Sequence, residues 1–193
     1  MKKRIYTIGH STRTFAELVT TLRHYGITHL IDVRSVPRSR HTPQFNKHSL
    51  VQTLPRQNIR YTHMKILGGL RATHKDSPNR AWRNKSFRGY ADYMQTSEFT
   101  AGITQLIEYT KKDTVAIMCA EVLPWRCHRS LIGDALLVRG YQVIDIFDEK
   151  KSEPETLTKF AKVKGQEITY SNTNEADEKR SLITKRIRLR KNI

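Results

Sequence analysis

The chain has 193 residues, 37% of them hydrophobic, and carries a formal net charge of +17. This length suits one domain with a proper core, and two cysteines are too few for a disulfide framework. The basic N-terminus has no apolar signal core behind it and no window approaches a membrane span, so we expect a cytoplasmic protein without membrane contact, whose cysteines are thiols.

The positive charge is concentrated in two segments. Residues 38–89 hold twelve lysines and arginines but one acid, Asp76, together with four histidines and aromatic residues that include Trp82 and Phe87. A second basic group, of seven residues, lies between residues 179 and 191. Basic blocks with almost no acid between them favour a polyanionic partner, here nucleic acid or a nucleotide. The other interpretation is a generally high surface charge that aids solubility.

The hydrophobic pattern predicts alternating strands and helices along the chain. Strands are predicted at residues 5–8, 29–33, 59–63, 114–118 and 142–147, and helices at 14–25, 46–57, 89–94, 98–109, 130–138 and 153–163. Thr14 and Glu17 have the spacing of a capping box, and Gly26 ends the first helix. Because strand, helix and strand follow one another at the start, neighbouring strands should be parallel. The sequence predicts an α/β fold with about five mostly parallel strands and helices on both faces.

Two boundaries follow from composition. We expect residues 1–150 to form the α/β domain, with the basic segment 38–89 as an insertion that includes a long polar loop at 67–85. Residues 151–193 should form a polar, basic C-terminal extension, with a loose linker at 171–178.

The densest group of reactive side chains is CAEVLPWRCHR at residues 119–129, between a predicted strand and a predicted helix. In open α/β sheets ligands bind at this kind of turn. Two other predicted strands also end in polar residues, so parallel strands would bring all these groups to one edge. The groups after the three strands are Gly9, His10 and Ser11; Asp32 and Arg34; and Cys119 and Glu121. Asp32 and Glu121 would then form a carboxylate pair for acid–base work, or each would hold an arginine to fasten a loop.

Cys119 admits three interpretations: a nucleophile, a metal ligand with Cys127 and His128, or a small buried apolar residue. A protein phosphatase loop needs five residues between its cysteine and arginine, whereas Arg126 follows Cys119 after six, without a loop glycine. The seven residues between the cysteines do not match the usual zinc spacings, so we expect no metal and no other cofactor. A distant residue such as His10 would be needed to complete a metal site.

The start of the last predicted helix favours an anion. Cys127, His128 and Arg129 should lie on its first turn, where backbone N–H groups are unpaired and the helix dipole is positive. Arg126 and Arg129 add charge, and this combination suits a phosphate.

Several short blocks of the chain together resemble the family called domain of unknown function 488, over residues 4–147. The blocks are TIGHS at 7–11, LIDVR at 30–34, PQF at 43–45, LGG at 67–69, YADYM at 90–94, and MCAE at 118–121 with Pro124 and CHR at 127–129. The resemblance implies a Rossmann-like α/β domain and no established reaction. It also implies site residues that agree with the strand-end argument: Gly9, His10, Ser11, Asp32, Arg34, Glu121, Cys127, His128 and Arg129.

The leading hypothesis is an enzyme that acts on a nucleotide or on nucleic acid, such as a metal-independent hydrolase or glycosyl-transfer enzyme on nucleosides. The candidate catalytic residues are Glu121, Asp32, His10 and Cys119. The candidate anion- and substrate-binding residues are Gly9, Ser11, Arg34, Arg126, Cys127, His128 and Arg129. One alternative is a non-catalytic nucleic-acid-binding protein. Another is a metal- or redox-responsive protein that uses Cys119, Cys127 and His128.

Overall fold

The computed structural model describes residues 3–171, so most of the linker predicted at 171–178 and the basic tail that follows lie outside the described residues. The strands are β1 Arg4–Gly9, β2 His29–Asp32, β3 Arg60–His63, β4 Val115–Cys119, β5 Gln142–Ile146, β6 Ser152–Pro154, β7 Lys162–Lys164 and β8 Glu167–Thr169. The helices are α1 Phe15–His24, α2 Lys47–Thr53, α3 Lys85–Tyr93, α4 Ser97–Tyr109 and α5 Arg129–Val138. None of the helices described is long and apolar enough to cross a membrane.

One six-stranded sheet organises the fold, in the order β3-β2-β4-β1-β5-β6. The first five strands are parallel to one another, and β6 runs antiparallel to β5 at the edge. Gly9 pairs with Cys119 and Asp32 pairs with Met118, so β1, β2 and β4 end level with one another. The predicted Rossmann-like α/β architecture is confirmed.

Helices cover both faces of the sheet. Successive strand residues point to opposite faces, and both faces are buried at the central strands β1, β2 and β4, whose residues are therefore almost all inaccessible to solvent. On one face α1 and α2 pack through the buried residues Leu18, Leu22 and Leu50 against Ile8, Leu30 and Met118. On the other, α3, α4 and α5 pack through Tyr90, Ile103 and Leu131 against Ile5, Ile31 and Ile117.

Local signals set the helix ends. The capping box is present, since the Glu17 amide donates to Thr14 Oγ1 at 3.2 Å and the Thr14 amide donates to Glu17 Oε2 at 2.7 Å. The helix predicted at 46–57 ends at Thr53, because Pro55 opens a separate 3₁₀ turn.

The helix predicted at 153–163 is wrong. The segment begins as edge strand β6 and ends in β7, which forms a hairpin with β8. Its backbone bonds to the rest of the domain, not to itself: the Glu155 amide donates to Val143 O at 2.9 Å and the Thr158 amide donates to Asp134 Oδ1 at 2.9 Å. These partners lie on β5 and α5, and propensity alone does not reveal them.

The long polar loop before α3 is held by one buried carboxylate. Asp92, on α3, accepts hydrogen bonds from Ser77 Oγ at 2.5 Å, Asn79 Nδ2 at 2.7 Å and the His74 amide at 3.0 Å. Three donors on one buried acceptor fix the course of a loop that has no helix or strand of its own.

We predict that Asp92→Asn lowers the free energy of unfolding by about 1–3 kcal/mol, because an amide nitrogen replaces one of two acceptor oxygens and leaves a buried donor unpaired. Urea unfolding measures the change. Asp76→Asn, an exposed acid of the same loop, is the matched control and should change stability by less than about 0.5 kcal/mol. Equal losses in the two variants would contradict the role assigned to Asp92.

Candidate functional site

A pocket of about 600 Å³ opens where β1, β2 and β4 end. Seven of the residues selected from the sequence line it: Ser11, Arg34, Cys119, Glu121, Arg126, Cys127 and His128. The other four, Gly9, His10, Asp32 and Arg129, lie behind the pocket wall. The strand-end residues thus meet at one edge, but they divide into residues that face the cavity and residues that hold those in position.

Asp32 is committed to Arg34. The carboxylate is fully buried, and it accepts from Arg34 Nε at 2.9 Å through Oδ1 and from Arg34 Nη2 at 2.6 Å through Oδ2. The Arg34 amide donates to Oδ1 at 3.1 Å and Tyr61 Oη donates to Oδ2 at 2.8 Å. Both oxygens are therefore occupied, and Asp32 orients an arginine that lines the pocket.

Arg34 is held on three sides and keeps one donor. Besides Asp32, Nη2 donates to Phe45 O at 2.6 Å, and Nη1 donates to His10 Nε2 at 3.0 Å. Burial alone would lower the pKa of Arg34, but the hydrogen bond and charge of Asp32 raise it above its ordinary value. Four of its five N–H groups have partners among the described residues, which leaves one Nη1 N–H for a ligand.

His10 is a neutral acceptor behind Arg34. Because a guanidinium can only donate, His10 Nε2 carries no proton, and Nδ1–H donates to Ser11 O at 2.9 Å. Burial lowers the pKa of His10 to about 4, the hydrogen bond to Ser11 acts in the opposite direction, and the Arg34 charge lowers it. His10 therefore positions Arg34 and stays uncharged near neutral pH.

Gly9 allows the chain after β4 to cross the end of β1. A Cβ at Gly9 would overlap the carbonyl group of Glu121 and lie 2.7 Å from Val122 Cα. The sequence predicted a glycine that contacts a ligand, whereas here its missing side chain makes room for the segment that carries Glu121.

Arg129 binds the same segment from the interior of the protein. It is 1% exposed, and it donates through Nη2 to Glu121 O at 2.6 Å and to Val122 O at 3.2 Å, and through Nη1 to Thr7 Oγ1 at 2.9 Å. The sequence suggested that Arg129 pairs with the Glu121 carboxylate or a bound anion. Its partners are backbone carbonyl groups and a hydroxyl instead, so the Glu121 side chain remains available at the surface.

Two thiols and an imidazole form the pocket wall beside the start of α5. The prediction that Cys127 and His128 lie on the first helical turn is wrong, because α5 begins at Arg129 and both residues precede it. The sulfur atoms of Cys119 and Cys127 and a ring nitrogen of His128 lie within 4.8 Å of one another. His128 Nε2–H donates to Val33 O at 3.0 Å, which leaves Nδ1 as an acceptor 3.7 Å from Cys127 Sγ. The hydrogen bond with Cys119 lowers the pKa of Cys127 well below its usual range, and His128 and Arg129 also lower it, against the effect of burial. The same pairing raises the pKa of Cys119.

Glu121 and Arg126 line the pocket as exposed groups of opposite charge. The Glu121 carboxylate accepts one weak bond, from the Leu123 amide at 3.4 Å, and the Arg126 guanidinium has no hydrogen-bond partner among the described residues. A ligand can therefore contact Arg126 directly, and can contact Glu121 with the loss of at most one weak hydrogen bond.

Some pocket residues were not selected from the sequence. Gly69 lies against the His128 ring, where a Cβ would come within 2.5 Å of Nδ1; its block, LGG, is visible in the sequence but carries no chemistry. Phe87 lines the pocket and stacks on Trp82, with ring centroids 4.7 Å apart. The sequence had singled out Trp82 and Phe87 as aromatic residues within the basic segment, and the structure brings Phe87 to the pocket.

We predict that Gly9→Ala lowers the free energy of unfolding by about 1–3 kcal/mol and displaces the segment at Glu121, because its methyl group has no space there. Chemical denaturation measures the stability, and binding of a nucleotide, the ligand class that the sequence favours, reports on the pocket. Gly26→Ala is the control: its left-handed backbone (φ 66°) costs stability too, but it lies beyond α1, so binding should survive. Intact binding in Gly9→Ala would refute the assignment.

We predict that acid destabilises the fold between pH 6.5 and 4 partly through His10. In this window the unfolded chain binds a proton at an ordinary histidine pKa of 6.5, whereas folded His10 and His29, both with a pKa of about 4, do not. The free energy of unfolding therefore falls as pH falls. His10→Gln keeps the acceptor for Arg34 but cannot titrate, so urea titrations from pH 7 to 5 should give a shallower slope.

His24→Gln, which replaces an exposed histidine at the end of α1, should keep the wild-type slope. A His10→Gln slope as steep as that of the wild type would show that His10 does not contribute.

The comparisons with known proteins address this part of the chain. The family model described as domain of unknown function DUF488 matches residues 14–136, more than half of the chain, and this range includes Asp32, Arg34, Glu121 and the cysteines. No curated protein and no solved structure matches the chain. The chain therefore belongs to the DUF488 family, as the blocks in its sequence predict.

Proposed function

We propose that this protein is an enzyme that binds a nucleotide, or one unit of a nucleic acid, in the strand-end pocket. There it cleaves a bond of this unit with water or transfers its glycosyl group to an acceptor. The observation that carries the proposal is the convergence of two thiols, an imidazole, an exposed carboxylate and two arginines on one cavity of about 600 Å³. Reactive groups of this variety in one cavity at the carboxyl edge of a parallel sheet favour a reaction site.

The cavity suits a small polar ligand with an anionic part. Its volume lies within the range of about 300–1,000 Å³ that is typical of small-molecule sites. The remaining Nη1 N–H of Arg34 and the guanidinium of Arg126 are the groups that would bind phosphate oxygens. The adjoining start of α5 adds the positive end of a helix dipole.

An aromatic face in the pocket supports a base as the other part of the ligand. Phe87 lines the cavity, and Trp82 stacks behind it at an interplanar angle of 29°. A ring fixed from one side is a stacking platform for a nucleobase, which aromatic side chains bind with little dependence on sequence.

The basic segment 38–89 would bind the flanking phosphates of a polymer. It supplies Gly69, Leu70, Ser86 and Phe87 to the pocket lining. Exposed basic residues lie close along the chain to this lining; they are Arg38, Arg40, Arg83 and Lys85. Neutralisation of phosphates by such residues makes affinity depend steeply on salt.

Glu121 is the acid–base group of this proposal. Asp32 has no vacant oxygen and His10 is neutral and buried, whereas the Glu121 carboxylate is exposed to the cavity. Cys119, Cys127 and His128 form a thiol–imidazole group in the pocket wall. This group would be the second reacting centre, as a nucleophile or as a ligand for an activating ion.

We predict that the wild-type protein converts at least one member of a panel of nucleosides, nucleotides and single- and double-stranded oligonucleotides, with products measured by chromatography. Glu121→Gln should lower turnover by about 10²-fold or more, because it removes the proton acceptor and keeps the shape. Its stability should be unchanged, since the side chain is exposed.

Glu108→Gln, which removes an exposed carboxylate on α4, is the control and should keep full turnover. Full turnover in Glu121→Gln would remove Glu121 from the proposal. Salt-sensitive binding of oligonucleotides without any conversion would identify a nucleic-acid-binding protein instead of an enzyme.

A further inference from the structure

We propose that Cys119, Cys127 and His128 bind one zinc ion whose fourth coordination position faces the strand-end pocket. The site itself is inferred from these three side chains, while its use in a reaction rests on the function proposed above. The ion would make the pocket a metal-assisted site in which a bound water or a substrate atom completes the coordination.

The distances between the ligand atoms are close to those of a tetrahedral site. Zinc bonds of about 2.3 Å to sulfur and 2.1 Å to nitrogen place ligand atoms roughly 3.5–3.8 Å apart. Cys127 Sγ and His128 Nδ1 are already 3.7 Å apart, and all three ligand atoms lie within 4.8 Å of one another. The largest separation of the three ligand atoms therefore exceeds the tetrahedral distance by about 1 Å at most.

The imidazole is fixed in the tautomer that a metal requires. His128 Nε2–H donates to Val33 O at 3.0 Å, so the lone pair of Nδ1 faces the two sulfur atoms. A metal-ligating histidine usually donates its second ring N–H to a carbonyl or carboxylate in this way. Gly69 keeps the space beside Nδ1 open, since a Cβ there would lie 2.5 Å from that atom.

The backbone on either side of the sulfur atoms is also fixed. Cys119 ends β4, and its carbonyl group accepts from the His10 amide at 3.0 Å. The Cys127 amide donates to Pro124 O at 2.9 Å, at the end of a 3₁₀ turn.

Three protein ligands beside a cavity are the arrangement of a reactive zinc site rather than a structural one. A structural site closes with four protein ligands, whereas the described residues supply three here. All three line the same cavity as Glu121, so a water on the fourth position would have a carboxylate in the same pocket to accept its proton.

The spacing of seven residues between Cys119 and Cys127 matches no usual zinc motif, so the sequence alone does not indicate this site. Zinc motifs are recognised by two ligands on one short turn, but Cys119 ends a strand and Cys127 follows a 3₁₀ turn, two residues before α5 begins. The fold brings them together because Arg129 and Gly9 draw that loop back over the sheet edge.

The test uses the full chain, purified under reducing conditions and loaded with zinc or cobalt. We expect one zinc ion per chain by elemental analysis, and sulfur-to-cobalt charge-transfer bands with tetrahedral d–d bands in the cobalt protein. Cys119→Ser, Cys127→Ser and His128→Asn should each weaken zinc binding by roughly 100-fold or more, since even outer groups of such sites contribute 10–100-fold. His24→Gln, with its exposed histidine on α1, should keep the ion.

Absence of zinc and of the charge-transfer bands in the wild-type protein would overturn the proposal, whether or not the variants fold. A disulfide between the two cysteines in place of zinc would overturn it in favour of a redox pair. Full conversion of substrate by metal-free protein would overturn the assignment of a reactive zinc ion, and would leave the proposed function intact. Zinc binding with the stated variant losses but without conversion of any panel member would support the site and refute the function.

Discussion

The hydrogen bonds of the buried Arg129 guanidinium hold together the edge of the sheet at which the candidate site lies. This guanidinium joins three elements, through Thr7 on β1, the carbonyl groups of Glu121 and Val122 after β4, and its own position at the start of α5. Thr7 passes the connection on by donating to Asp145 Oδ1 at 2.6 Å. Because a buried cation needs these acceptors, the loop that carries Glu121 and the helix start that carries His128 have fixed positions relative to the sheet.

A second buried arginine orders the neighbouring side of the pocket in a similar way. Arg34 is bound by Asp32, His10 and the Phe45 carbonyl group, and it still contributes to the pocket lining. The two arginines differ in what they leave available: Arg129 is enclosed, whereas Arg34 retains a donor for a ligand. The pocket therefore consists of a frame built from one ion pair and several hydrogen bonds, and of a small set of reactive groups that this frame positions.

The sequence predicted where the pocket lies better than it predicted the role of each residue in it. Apolar periodicity and the strand–helix order gave the parallel sheet, and parallel strands placed the polar strand ends at one edge. It could not separate Asp32 from Glu121, because the difference lies in hydrogen bonds to Arg34 and Tyr61 that come from distant parts of the chain. The helix predicted at 153–163 failed for the same reason, since Asp134 and Val143 hold that segment as extended chain.

We propose that Cys119, Cys127 and His128 and the pocket to which we assign nucleotide binding are one site. The visible spectrum of the cobalt-loaded protein, recorded while a nucleoside monophosphate is added, tests this most directly. A ligand in the pocket should change the fourth coordination position, so the d–d bands should shift and saturate at the concentration at which the nucleotide binds. Saturable nucleotide binding with an unchanged cobalt spectrum would contradict the account, because the two sites would then be separate.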